Sequence, residues 1–276
     1  MKLFVSLWLA ATLLLAAEPG RAQSTPSASP YHTRLLVDGA IITGLTGIGV
    51  TGLYLVQQKR VPTEAELALL RKSDVPRIDR FVAGRYSERA QLVSDLLFYP
   101  TMGLAPGVLA LNPASRGRFG QVAVLYVEAM MATNAIFAST VGTTYRYRPY
   151  LYGPEGGSRR TQPVATNSFF GGHTANSATV TFFTAKVLHD FNPGSAAEPY
   201  IWTAAAVLPA AVAYARMEAG KHFLTDNIVG YAVGATVGIM VPQLHKARGA
   251  GYSFAPVQGL NVNGHSYGGL LISKRL

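Results

Sequence analysis

The sequence predicts an all-α protein: a six-helix bundle, embedded in a membrane, with a short β-like extension at the C-terminus. Three observations carry that reading. Six apolar runs punctuate the chain, most of them close to the roughly 17–25 residues a membrane-crossing helix needs. Charged residues make up only 14% of the 276, against a usual share of about 25%, while hydrophobic residues make up 49%. The final stretch, 249–276, is Gly-rich without helical periodicity, and Tyr267 to Leu276 reads as a strand or hairpin arm.

Taken in order, residues 1–22 read as a secretory signal. Lys2 supplies the positive start, Leu3 to Ala17 the apolar run and Gly20-Arg21-Ala22 the small-residue cleavage site. An uncleaved anchor is the alternative; either way the chain is expected to be exported or membrane-inserted. Residues 23–33, rich in Ser and Pro, read as a flexible leader. The helical domain is expected over 34–248. Its apolar runs are Leu35 to Val56, Leu92 to Leu111, Phe119 to Thr140, Thr174 to Leu188, Tyr200 to Tyr214 and Phe223 to Val241. Between the first two, Thr63 and Glu66 have the spacing of a capping box on a short surface helix. Asp38, Asp95, Glu128 and Asn134 interrupt the first three runs, so they must face the bundle interior or a polar cavity. Those interruptions, with a mean hydropathy of only +0.20, leave a soluble secreted bundle as the alternative.

Composition also bounds the chemistry. The chain has no cysteine, which removes disulfides, thiolate catalysis and cysteine metal sites. The formal net charge of +10 suits anionic partners such as phosphates or anionic lipid surfaces. Nucleic acid is not expected, because the basic residues are scattered and no binding motif is present.

Three stretches between 141 and 226 share a preference for an anion. The first is Thr144-Tyr-Arg146-Tyr-Arg148-Pro149-Tyr150, where Pro149 stops a helix just after Arg148. Arginine offers a planar fork that matches two phosphate oxygens; the alternative is an arginine snorkelling beside interfacial tyrosines. The second is Ser168-Phe-Phe-Gly171-Gly172-His173, two glycines ahead of a histidine that opens a helix. Backbone amides there can approach an anion, and His173 can donate a proton to a leaving oxygen; the alternative is a glycine turn with a polar cap. The third runs from Arg216 through Gly220-Lys221-His222 to Asp226. On a helix, His222 and Asp226 share a face, so a carboxylate can orient one imidazole nitrogen and leave the other as nucleophile. A capping or core pair is the alternative.

Together, Arg148-Pro149, Gly171-Gly172-His173 and Arg216-x5-His222-x3-Asp226 resemble the type 2 phosphatidic acid phosphatase superfamily, PAP2, which also includes bacterial class A acid phosphatases and vanadium-dependent haloperoxidases. The resemblance covers roughly residues 90–243. Two positions depart from the family pattern: Val141 stands where the first motif begins with Lys, and Gly171 where the second has Ser. Ala215 replaces a Ser before Arg216. Losing a cation and a hydroxyl should weaken oxyanion stabilisation; Arg146 or Lys221 are the candidates to replace the cation.

The resemblance implies a metal-independent phosphatase without cofactors. His222 would be the nucleophile, Asp226 its orienting carboxylate and His173 the general acid. Arg148, Arg216 and the Gly172 amide would hold the phosphate oxygens, helped by Gly171, Arg146 and Lys221. No metal is expected. The partners implied are a lipid phosphate or a small phosphomonoester, and a membrane; phosphatidate, phosphatidylglycerophosphate, undecaprenyl diphosphate and lipid A phosphates are candidate substrates. A soluble acid phosphatase, a degenerate anion-binding protein and, less expected, a haloperoxidase are the alternatives. The expected setting is a bacterial cell envelope with the site facing the periplasm, although strict alternation of six spans after an exported N-terminus puts all three motifs on the cytoplasmic side.

Overall fold

A computed structural model describes residues 29–246, 252–260 and 266–274. The expected signal sequence and most of the expected leader lie outside the described residues. Six long helices follow the six apolar runs: α1 (Leu35–Gln57), α3 (Glu88–Leu111), α4 (Phe119–Thr143), α5 (Gly172–Phe191), α6 (Glu198–Glu218) and α7 (Leu224–His245); α2 (Glu64–Ala68) is a short surface turn. The Thr63–Glu66 capping box forms, with Thr63 Oγ1 accepting from the Glu66 amide and Glu66 Oε2 from the Thr63 amide. Ser87 caps α3 by accepting from the Ala90 amide. Pro100 and Pro106 sit inside α3 without ending it.

Four of the helical stretches, Leu35–Gln57, Glu88–Leu111, Arg116–Thr143 and Leu224–His245, are long and apolar enough to cross a membrane. Helices α5 and α6 are not among them. For α5 the reason is its position: fourteen of its 20 residues are buried, against α3, α4, α6 and α7. It can therefore carry polar groups that pair inside the bundle. Thr179 shares a 2.7 Å hydroxyl bond with Thr133 of α4, and Asn134 Nδ2 donates to Asn176 Oδ1 at 3.0 Å. Next to this polar column lies an apolar core that includes Leu109, Val122, Leu125, Phe183 and Val187. Each such side chain contributes about 1.5–3 kcal/mol on full burial.

Small residues set how closely the helices approach. Gly230, Gly234 and Gly238 lie one turn apart on α7 and face the carbonyls of Gly171, Ala175 and Thr179, where an added Cβ would stand 2.6, 2.0 and 2.6 Å away. Gly52 of α1 and Gly142 of α4 meet in the same manner. The α5–α7 contact matters most, because the candidate motifs open one helix and precede the other.

Two boundaries differ from expectation. Tyr31, expected in a flexible leader, is 1% exposed in the core, and its hydroxyl donates to Asp190 at 2.9 Å. An aromatic ring with a satisfied hydroxyl gains more from burial than the Ser- and Pro-rich composition around it suggests. The helical unit ends at His245 and a second compact unit starts at Lys246. That second unit holds an antiparallel hairpin, β1 (Tyr252–Leu260) with β2 (Ser266–Lys274), in register from Tyr252↔Lys274 to Leu260↔Ser266.

Gly234→Leu should drive α5 and α7 apart and cost about 1–3 kcal/mol by overpacking, read as a lowered unfolding midpoint in detergent. An unchanged midpoint would mean that the two backbones are not in contact there.

Candidate active site

Three loops converge at the start of α7: 144–151, 165–171 and 219–226. Backbone hydrogen bonds stitch them together. The Arg148 amide donates to the Ala165 carbonyl at 2.9 Å, the Tyr150 amide to Gly220 at 3.2 Å and the Gly171 amide to Asp226 at 3.0 Å. Helix α6 ends in a Schellman turn. Gly220 adopts φ +67°, and the Gly220 and Lys221 amides return to the carbonyls of Met217 and Arg216. A Cβ at Gly220 would stand 1.9 Å from the Arg85 carbonyl, so both conformation and space demand glycine. This turn carries the chain from Arg216 on α6 to His222 at the head of α7.

His222 is 3% exposed, and its Nδ1 lies 2.6 Å from the Ser168 carbonyl. A carbonyl only accepts, so Nδ1 carries the proton and Nε2 keeps its lone pair. Burial, and then the charges of Arg148 and Arg216, hold this imidazole well below its ordinary pKa. The result is a neutral ring with one fixed tautomer and a lone pair on Nε2.

Asp226 is expected to orient His222 directly. It does not: its carboxylate accepts from Arg146 Nη1 at 2.5 Å, Ser168 Oγ at 2.6 Å and the Phe223 amide at 2.8 Å. It thereby fixes Ser168, whose carbonyl holds His222, and the backbone next to His222. The i,i+4 reading fails because α7 begins at Leu224, after the histidine rather than before it.

Arg146 also departs from expectation. Its guanidinium does not stand free for a ligand, but bridges Asp226 and Asp79 (2.7 Å), two carboxylates that are 0% and 1% exposed on their side chains. Asp79 in turn accepts from the Thr225 amide at 2.9 Å and the Thr225 hydroxyl at 2.6 Å, anchoring the first turn of α7. Two buried carboxylates claim the cation before any diffusing anion can. The Gly171 amide, too, is committed to Asp226 and not offered to a ligand.

Arg148, Arg216 and Lys221 form the remaining basic group, 9%, 6% and 8% exposed. The Nε atoms of both arginines are buried without a hydrogen-bond acceptor among the described residues. Arg216 has weak partners in Ser94 Oγ (3.4 Å) and Asp95 (3.6 Å) of α3. Lys221 lies over the Tyr150 ring, 5.5 Å from its centre. Burial, then Arg148 and Arg216, push its pKa down to about 8. Gly172 opens α5, and its side-chain position is closed by the Phe137 ring. His173, the next residue, places Nε2 3.3 Å from Asp95 Oδ1 and packs against Phe98.

Several of these partners were not singled out as functional from sequence. Asp95 carried a signal, an acid inside an apolar run, but no indication of what it faces. Asp79 carried none. Lys59 was not singled out either: its ammonium donates to the Val141 carbonyl at 3.2 Å, the Thr166 carbonyl at 3.1 Å and Asn167 Oδ1 at 2.6 Å, tying the end of α4 to the loop before α5. At Gly171 an added Cβ would stand 2.7 Å from Asn227 Oδ1, so the serine of the family pattern would require the Asn227 side chain to shift.

Such an assembly can bind an anion between two unsatisfied guanidiniums and an ammonium, beside one imidazole with a free lone pair and another paired with a carboxylate. Arg146 and Arg148 should separate on mutation. Arg146→Gln leaves two buried carboxylates unpaired and should cost about 3–5 kcal/mol. Arg148→Gln breaks no ion pair and should leave the unfolding midpoint unchanged or higher. Equal losses for the two variants would contradict this division.

Comparison with known proteins bears on this segment. The PAP2 superfamily model matches residues 122–250. Over 109 residues the chain is 33% identical to a lipid A 4'-phosphatase of Porphyromonas gingivalis, a match that spans 40% of this chain and about a third (36%) of that relative's length. The crystal structure of a transmembrane PAP2 type phosphatidylglycerolphosphate phosphatase from Bacillus subtilis aligns over 87% of this chain and 94% of its own, at 17% identity and a TM-score of 0.41. The stretch that holds His173, Arg216, His222 and their neighbours lies within the residues that match the PAP2 superfamily model.

Proposed function

We propose that this chain is a phosphatase that hydrolyses a phosphate ester of a lipid through a phospho-histidine intermediate. One observation carries the reading: two buried guanidiniums, Arg148 and Arg216, lack acceptors at Nε beside an imidazole whose free nitrogen is fixed by the Ser168 carbonyl. A buried donor without an acceptor costs about 1–3 kcal/mol, and a phosphate oxygen would remove that cost at both arginines. The PAP2 match supports the reaction class.

In this mechanism Nε2 of His222 attacks phosphorus and the ester P–O bond breaks. Burial, and then the charges of Arg216 and Arg148, push the His173 pKa down to about 3, so its second proton arrives with the anionic ester. The leaving oxygen takes that proton from Nε2, the imidazole being steadied by Asp95. Water then attacks the phospho-histidine with His173 as base, which releases phosphate and restores His222. Arg148, Arg216, Lys221 and the Gly172 amide would hold the equatorial oxygens, where charge accumulates. Asp226 and Arg146 act at one remove: they position Ser168 and so the nucleophile. Lys221, placed beside both arginines, is the better candidate to make up for the cation absent at Val141.

The lipid reading rests on the apolar surface. Leu35, Leu36, Ile48, Val50 and Leu53 of α1 are all exposed by more than half, a patch too large for a water-facing wall and suited to acyl chains. Embedding in the membrane by the four long apolar helices, with the site toward the periplasm, belongs to the same proposal. A lipid A phosphate is the first substrate to try, given the curated relative's name.

The decisive assay is phosphate release by purified protein in detergent, with lipid phosphates and p-nitrophenyl phosphate offered side by side. Wild type should be active, and His222→Ala should lose at least about 1,000-fold in kcat. An active His222→Ala variant, or an inert wild type, would end the phosphatase reading. The pH profile gives a second check. With its pKa lowered to about 8, Lys221 loses its charge as pH rises through that value, so kcat/KM, which reports the free enzyme, should fall above about pH 8. In Lys221→Arg the fall should move to higher pH; an unshifted profile would remove Lys221 from the phosphate site.

A further inference from the structure

At the end of the helical unit remote from His222, three ligand-type side chains meet from three helices. Asp38 lies in the first turn of α1, Glu128 on α4 and His245 at the last position of α7. His222 precedes α7 and His245 ends it, so about 30 Å of helix separates the two, at 1.5 Å per residue. Asp38 is 3% exposed and Glu128 6%. One oxygen of each carboxylate and one nitrogen of His245 lie within 4.8 Å of one another. The phosphatase mechanism uses none of the three.

The tautomer of His245 follows from its neighbour. Nδ1 lies 2.9 Å from the Val241 carbonyl, which can only accept, so Nδ1 carries the proton and Nε2 presents a lone pair. That lone pair faces Asp38 Oδ1 at 3.4 Å and Glu128 Oε2 at 3.5 Å. Both separations exceed the N–H···O range of about 2.7–3.2 Å. Glu128 Oε2 is buried and receives no hydrogen bond among the described residues. Three electron-rich atoms therefore converge in a buried place, which is costly unless a cation joins them.

The geometry suits one. A tetrahedral ion with ligand bonds of about 2.1 Å has ligand–ligand edges of about 3.4 Å, and both nitrogen–oxygen separations match that edge. The outer contacts match as well. Asp38 Oδ2 accepts from the Arg34 amide at 2.7 Å, and the His245 Nδ1–H is taken by a carbonyl. Bonds of this kind fix a ligand's orientation. A mixed set of one imidazole and two carboxylates favours zinc-like ions over calcium or magnesium, which prefer oxygen alone.

We propose that Asp38, Glu128 and His245 bind one divalent zinc-type ion, with water in the fourth position, and that this ion fastens the start of α1 and the end of α7 to α4. The sequence predicts no metal, because Asp38, Glu128 and His245 stand far apart along the chain and His245 reads as an isolated histidine; only the fold brings the three together. The test uses the full chain in detergent, stripped by chelator, freed of chelator by dialysis and titrated with Zn²⁺ alone in a calorimeter. One equivalent should bind at micromolar affinity or tighter and raise the unfolding midpoint. Glu128→Gln and Asp38→Asn should each weaken binding by at least about 10-fold. Phosphate release per folded molecule should be the same with and without the ion. Absence of one-equivalent binding, or equal binding by the Glu128→Gln variant, would overturn the site in favour of a doubly protonated imidazole between two carboxylates. Should the variants fold poorly, zinc-edge X-ray absorption on the loaded wild type decides: one imidazole shell supports the site, and an oxygen-only shell rejects it.

Discussion

The Asp226 carboxylate is the constraint on which the site depends. It is fully buried, and every oxygen it presents is taken: Arg146 on one side, the Ser168 hydroxyl and the Phe223 amide on the other. Through Ser168 it reaches the loop before α5, through Phe223 the turn before α7, and through Arg146 the loop after α4 and the buried Asp79. A buried charge with this many fixed partners tolerates few alternative arrangements, because displacing any one of them leaves an ion desolvated and unpaired. His222 inherits that rigidity through a single carbonyl.

Around this knot, the bundle separates positive charge into two classes. Arg146 is neutralised within the fold. Arg148, Arg216 and Lys221 are buried with too little negative charge nearby, so folding stores an electrostatic demand at the head of α7. Helix α5 makes such an interior possible by supplying Thr and Asn side chains that pair with α4 and α7, while α1, α3, α4 and α7 provide the apolar length.

Much of the helical architecture was legible because its physical cause is local. Apolar runs bounded by polar or Gly-containing segments give helices almost wherever they occur, and the six runs match six helices within a few residues. The capping box at Thr63 could be read for the same reason. Long-range pairings could not. Nothing in the polar stretch around Asp79 indicates that it would meet Arg146 and Thr225, and nothing in the Lys59 segment points to the end of α4. Spacing alone put Asp226 against His222, and it misled because it assumes a helix through both residues. Tyr31 shows the converse error, in which a Ser- and Pro-rich neighbourhood concealed a single anchoring aromatic.

The close approach of Gly171 to the Asn227 amide bears on how the motif can change over time. Read along one line, glycine at 171 looks like a lost hydroxyl. In three dimensions it is half of an exchange, since a side chain at 171 and the amide at 227 compete for one volume. The Asn227 amide is itself engaged, accepting from Thr174 and donating to the Phe223 carbonyl. A serine at 171 therefore requires the Asn227 amide to leave these bonds or a smaller residue to stand at 227. The two positions are sterically coupled although 55 residues of chain lie between them.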